Sequence, residues 1–198
     1  MLTLLSKILN TILPERDNHK AVRKLSRLIA TPTIINLNGF TVHCLLEFRS
    51  SDIRAVIHEA KFYDNLKAQE LLGQVLHNFL QTHADAYDLV IPLPLSTKRF
   101  KERGYNQMER ILKQAGIDFN SQLMKRDDRP SQTSLTREER LENVTGAFSI
   151  AIEKAPVIAG QRILLIDDVA TTGATLRAAK AALLPHQPAA ITYLALAH

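Results

Sequence analysis

The stretch that decides the fold is Arg162-Ile163-Leu164-Leu165-Ile166-Asp167-Asp168-Val169-Ala170-Thr171-Thr172-Gly173-Ala174-Thr175. The aliphatic run from Ile163 to Ile166 reads as a strand covered on both faces, as strands of a parallel sheet are. Two carboxylates stand where that strand ends. A small, hydroxyl-rich turn then opens a helix, where free backbone N–H groups and the helix dipole favour an anion. Asp167 and Asp168 are therefore candidates to hold vicinal hydroxyls, with Val169, Ala170, Thr171, Thr172, Gly173, Ala174 and Thr175 as a candidate phosphate cradle in which Gly173 lets the backbone approach. A phosphorylated ribose has both kinds of group. Either half alone is common as plain structure, an acid pair capping a turn or the start of an ordinary helix. Their combination directly after a buried strand is what carries the reading. No Lys follows Gly173 as a Walker A loop requires, and Gly-x-Gly-x-x-Gly occurs nowhere. A receiver domain would place a phosphoacceptor Asp downstream, and no Asp follows Asp168.

Working outward, Asp88 to Pro92 reads as a second short buried strand. It runs into a donor-rich loop, Leu95-Ser96-Thr97-Lys98-Arg99, with Arg103 close behind. Ligands of open α/β sheets bind where strands end at their carboxyl side, so Ser96, Thr97, Lys98, Arg99 and Arg103 are candidates for a departing diphosphate. Apolar periodicity predicts helices from Ser51 to Tyr63, from Lys67 to His83, from Asn106 to Ala115 and from Gly173 to Leu184. Strands are expected from Gly146 to Ile152 and from Ile191 to Ala195. The charge-rich segment from Lys125 to Asn143 reads as a loop. Strands alternating with helices indicate an α/β fold with a mostly parallel twisted sheet from about residue 50. Ahead of it, residues 1 to 30 read as two short helices broken at Pro14, the second from Asp17 to Ala30. Asn38-Gly39 between two β-prone runs predicts a hairpin from Thr33 to Phe48. The expected organisation is an appendage over 1–48 and the sheet domain over 49–198.

Composition narrows the classes. With 198 residues, 45% hydrophobic and 23% charged, the chain has material for one globular unit. One Cys, Cys44, excludes an internal disulfide and any Cys-based zinc site, and fits a reducing, cytoplasmic setting. The seven His are scattered, so no zinc is expected. The apolar residues near the N-terminus recur at helical spacing without a basic leader or cleavage site, and no run approaches the roughly 20 residues of a membrane span. A net charge of +5 favours anionic ligands.

The run from Ile163 to Thr175 resembles the phosphoribosyl-pyrophosphate signature of type I phosphoribosyltransferases. The resemblance extends over about residues 45 to 197: Lys61-Phe62-Tyr63, the run from Val90 to Leu95, Arg99, Arg103-Gly104-Tyr105-Asn106-Gln107, Gln132-Thr-Ser-Leu, Arg137, Arg140-Leu-Glu-Asn143 and Gly146-Ala147-Phe148 are similar to the ComF family of competence-associated, phosphoribosyltransferase-like proteins. It implies a type I phosphoribosyltransferase-like fold and binding of phosphoribosyl pyrophosphate with Mg²⁺ carried by the ligand, touched if at all by Asp167 and Asp168. It also implies transfer to an acceptor base it does not name, under a hood loop carrying Gln132, Arg137, Arg140 and Asn143. Lys61 and Tyr63 stand beside the site or in solvent, and a helix-end Lys is more often solvated. The family usually opens with a cysteine-rich zinc ribbon. Here residues 1 to 44 hold one Cys, and basic helices with the hairpin take its place. The alternative function is a non-catalytic ligand-binding protein of DNA uptake, with a partner in the competence machinery and weak single-stranded DNA binding by Lys20, Arg23, Lys24 and Arg27. Aromatics at 6% and the absence of Trp give that reading no stacking platform.

Overall fold

A computed structural model describes residues 15–37, 39–126 and 147–198. In chain order the elements are α1 (Asp17–Lys24), β1 (Thr33–Leu37), β2 (Phe40–Leu46), α2 (Ser51–Phe62), α3 (Leu66–Gln81), β3 (Leu89–Pro92), α4 (Thr97–Arg103), α5 (Gln107–Ala115), β4 (Met124–Arg126), β5 (Phe148–Ile150), β6 (Arg162–Val169), α6 (Ala174–Leu183) and β7 (Ala190–Ala197). Five strands form one sheet in the order β1-β2-β7-β6-β3, and β4 pairs with β5 apart from it. Within the five-stranded sheet β3, β6, β7 and β2 run parallel and β1 is antiparallel to β2.

The run that decided the fold lies at the middle of this sheet. Ile163, Leu164, Leu165 and Ile166 are all fully buried. Alternate residues point to opposite faces of a strand. Leu164 and Ile166 accordingly join one core with α2, α3 and α5, while Ile163 and Leu165 join the other with α6 and the β4–β5 ribbon. The fold is therefore an α/β sheet, mostly parallel, with helices on both faces.

Three elements differ from the sequence expectation. The hairpin is not a free appendage. Its turn forms as expected, with Leu37 opposite Phe40, Gly39 at φ +84° and the Gly39 N–H donated to Asn36 Oδ1 at 2.9 Å. But β2 pairs with β7, so the sheet crosses the boundary expected at residue 48. Cys44, Leu45 and Leu46 are buried in succession, which requires cover on both faces as a sheet interior gives. Helix α1 stops at Lys24, well before Ala30, because Leu25 turns to an extended conformation. Leu25 and Leu28 then pack on the core from irregular chain, and the Thr31 N–H reaches Leu45 O at 2.8 Å. Finally, the strand expected from Gly146 to Ile152 is three residues long. It pairs antiparallel with Met124–Arg126, inside a stretch that reads as loop. Three residues are too few to show period-2 alternation.

Candidate functional site

Ile91 pairs with Leu165 and Pro92 with Ile166, so β3 and β6 end side by side and their following segments face one another. A cleft of about 740 Å³ opens there. Its floor carries Asp167 and Asp168, and Val169, Thr171 and Thr175 continue from β6 into the start of α6. Five cations line it, Arg54, Lys61, Arg99, Arg103 and Arg126, against these two acids. A concave site with that balance, at the carboxyl edge of a parallel sheet, suits a polyanion bearing hydroxyl groups.

The two carboxylates are not equivalent. Asp168 is buried and held from several sides. Its Oδ1 accepts the Val169 N–H at 2.8 Å, and its Oδ2 accepts Lys61 Nζ and Gln107 Nε2, each at 2.7 Å. Asp167 Oδ1 accepts the Asp168 N–H at 2.9 Å, and its second oxygen has no protein hydrogen bond among the described residues. Burial first, then the adjacent Asp168 charge, push the Asp167 carboxyl above the ordinary range, with Lys61 and Arg126 opposing. Asp167 is thus the carboxylate left open to a ligand.

The donor loop expected after β3 is a short helix. Ser96 caps it, its Oγ accepting the Arg99 N–H at 3.3 Å, and Gly104 ends it at φ +78°. Residues four apart share a helix face, so Arg99 and Arg103 reach the cleft together. Ser96 serves the helix end instead, and Thr97 and Lys98 are exposed away from the cleft lining. A seven-residue helix is too short to show an apolar stripe, which is why it reads as loop.

On the β6 side, Ala170, Thr172, Gly173 and Ala174 lie outside the cleft lining. Ala170 donates its N–H to Ala197 O, and Thr172 Oγ1 accepts the Ala174 N–H. Gly173 also meets a packing constraint. It sits at φ +72°, and a Cβ there would stand 3.1 Å from the Leu37 Cβ of the hairpin. Lys61 lines the cleft rather than standing in solvent, whereas Tyr63 turns toward α1, with the Arg16 guanidinium 3.5 Å from its ring centre. The hood residues Gln132, Arg137, Arg140 and Asn143 lie outside the described residues.

A phosphoribosyl transferase domain model matches residues 101–198. The chain is similar to the competence protein ComFC of Streptococcus pneumoniae, 38% identical over 112 residues, covering 56% of this chain and 49% of that protein. It is similar also to competence protein F of Haemophilus influenzae, 30% identical over 131 residues, covering 61% and 57%. The chain is thus similar to competence-associated proteins of the ComF kind and, over its C-terminal part, to a phosphoribosyl transferase domain. It spans about half the length of the curated relatives it matches. Among solved structures, 70% of it overlays 30% of glutamine phosphoribosylpyrophosphate amidotransferase from B. subtilis, with a TM-score of 0.44 and 16% identity.

Two cleft residues escape a reading by spacing. Lys61 ends α2 and Gln107 starts α5, far from Asp168 along the chain, yet both meet one of its oxygens. Gln107 carries one detectable signal: it follows Asn106, a helix-capping residue, and capping positions fix where the first turn of a helix points. Arg126, at the end of β4, and Arg54, in α2, join the lining only through tertiary packing.

Proposed function

We infer that this chain is a ComF-like protein that binds phosphoribosyl pyrophosphate and transfers its phosphoribosyl group to an acceptor base. One observation carries the reading: a single cleft joins a carboxylate pair at the end of β6, threonines at the start of α6, and cations from α2, α4 and β4. The Thr171 and Thr175 side lies at a helix N-terminus and suits the 5′-phosphate. On this reading Asp167 accepts ribose hydroxyls, a role supported by its open oxygen, while Asp168 is engaged by Lys61 and Gln107.

In the reaction the ribose C1–O bond to diphosphate breaks, its electron pair leaving with the diphosphate, and an acceptor atom forms the new bond to C1. The transition state resembles the oxocarbenium of glycoside cleavage, and negative charge grows on the leaving group. Arg99, Arg103 and Lys61 offer preorganised charge for it. Magnesium carried by the diphosphate would supply further charge neutralisation. Within the cleft, the carboxylates that the described residues offer such an ion are the Asp167–Asp168 pair.

The test is calorimetric titration with phosphoribosyl pyrophosphate and Mg²⁺, followed by an assay of diphosphate release across a panel of bases. Binding with base-dependent release is expected. Binding without release from any base would favour the ligand-binding reading, in which a role in competence, suggested by the relatives' names, rests on the bound state alone. No binding at millimolar ligand would overturn both.

A further inference from the structure

Gln107 is buried in the first turn of α5 and uses both ends of its carboxamide. Its Nε2 donates to Asp168 Oδ2 at 2.7 Å, and its Oε1 accepts from Arg103 Nη1 at 2.9 Å. Reversing the amide would set oxygen against carboxylate and NH₂ against guanidinium, so the two partners fix its orientation. The chain between Arg103 and Gln107 is itself anchored. Gly104 turns it in the left-handed region, Asn106 Nδ2 donates to Leu93 O at 3.1 Å, and Asn106 Oδ1 accepts the Met108 N–H at 2.9 Å. Arg103 lies over the Phe62 ring, its guanidinium carbon 4.9 Å from the ring centre. Its charge is thus aimed by an aromatic face on one side and by the Gln107 oxygen on the other.

We propose that Gln107 is a positioning residue that couples the two halves of the cleft, holding the Arg103 guanidinium against the diphosphate by anchoring it to Asp168 in the ribose half. The proposal rests on the phosphoribosyl pyrophosphate reading above. A buried amide with two charged partners makes stronger hydrogen bonds than neutral pairs do. Losing it frees the guanidinium to rotate while leaving Asp168 with Lys61 and the Val169 N–H. Recognition of the diphosphate should therefore suffer more than recognition of the ribose phosphate.

The experiment compares phosphoribosyl pyrophosphate with ribose 5-phosphate, both with Mg²⁺, by calorimetry on the wild type, Gln107→Met, Arg103→Met and the double variant. Methionine keeps approximate length without the hydrogen bonds. The preference for the diphosphate ligand should fall on the order of tenfold in Gln107→Met, with ribose 5-phosphate affinity changed by less than about threefold. In the Arg103→Met background, Gln107→Met should change the preference little, because acting through Arg103 makes the two losses non-additive. A merely structural role would weaken both ligands alike and leave the preference intact. An unchanged preference, or additive losses, overturns the proposal. Should Gln107→Met fail to fold, Gln107→Asn, too short to reach both partners, must lower the preference in the same direction, and an unchanged preference there is equally fatal. A wild type that binds neither ligand defeats the phosphoribosyl pyrophosphate reading and this one with it; wild-type binding with an intact preference in the variants defeats only the positioning role.

Discussion

Replacing Lys61 with Met removes the ammonium that lies 2.7 Å from Asp168 Oδ2 and nothing else of comparable polarity. The Lys61 side chain is 23% exposed and that of Asp168 8% exposed, so the pair is mostly out of water. Breaking a fully buried ion pair by deleting one partner costs about 3–5 kcal/mol. The figure here is smaller, because Asp168 keeps the Gln107 amide and the Val169 N–H and because the lysine end is partly solvated. A loss of about 1–2 kcal/mol is expected, which for a chain of this size lowers Tm by roughly 2–8 °C. The assay is a double-mutant cycle of Lys61→Met and Asp168→Asn followed by denaturant unfolding. Asparagine at 168 removes the carboxylate that Lys61 contacts directly, leaving only the more distant field of Asp167, so adding Lys61→Met to Asp168→Asn should cost much less than adding it to the wild type. A coupling of about 1 kcal/mol or more is expected between contacting partners of this kind. Additivity within about 0.3 kcal/mol would refute the claim that this contact organises the floor of the cleft.

Gly173→Ala places a Cβ on a residue at φ +72° and 3.1 Å from the Leu37 Cβ, so a destabilisation of about 1–2 kcal/mol is expected by thermal unfolding, with ligand affinity of the folded variant nearly unchanged. A selective loss of ligand binding at wild-type stability would return Gly173 to the ligand. Arg162 holds the Asp88 carboxyl down to about 2 from its ordinary 3.8. A depressed carboxylate contributes stability present above the ordinary value and lost as pH falls toward the folded one, so Arg162→Gln should flatten the acid limb of stability between about pH 4 and pH 2. Asp167 titrates the other way. Its raised carboxyl must be ionised to accept ligand hydroxyls, so phosphoribosyl pyrophosphate affinity should rise with pH through that titration in calorimetry, and the dependence should vanish in Asp167→Asn. Single-stranded DNA binding should be weak and fall steeply with salt, since Lys20 pairs with Asp17 and Arg23 with Glu15. Tight, salt-resistant binding in a filter or anisotropy titration would put the DNA reading first.

What the sequence made legible follows from what each feature depends on. The central strand was readable because four buried aliphatics in a row are a local pattern, and the acid pair and helix start were readable because they follow it without a gap. The hairpin turn was equally local, fixed by a glycine at positive φ. Its membership of the sheet was not, because that depends on pairing with β7, the last strand of the chain. The same division runs through the site. Arg99 and Arg103 stood out as cations near a strand end, yet their sharing a face requires α4, whose seven residues are too few to show a period. Lys61 and Gln107 show the limit most clearly. Each is a polar residue at a helix end, where solvation is the ordinary outcome, and each reaches the cleft only because α2 and α5 pack on one face of the sheet and deliver both side chains to one oxygen of Asp168. The carboxylates and hydroxyls of this cleft are thus written locally in the β6 motif, while the groups that set their charge and partners are written in the packing.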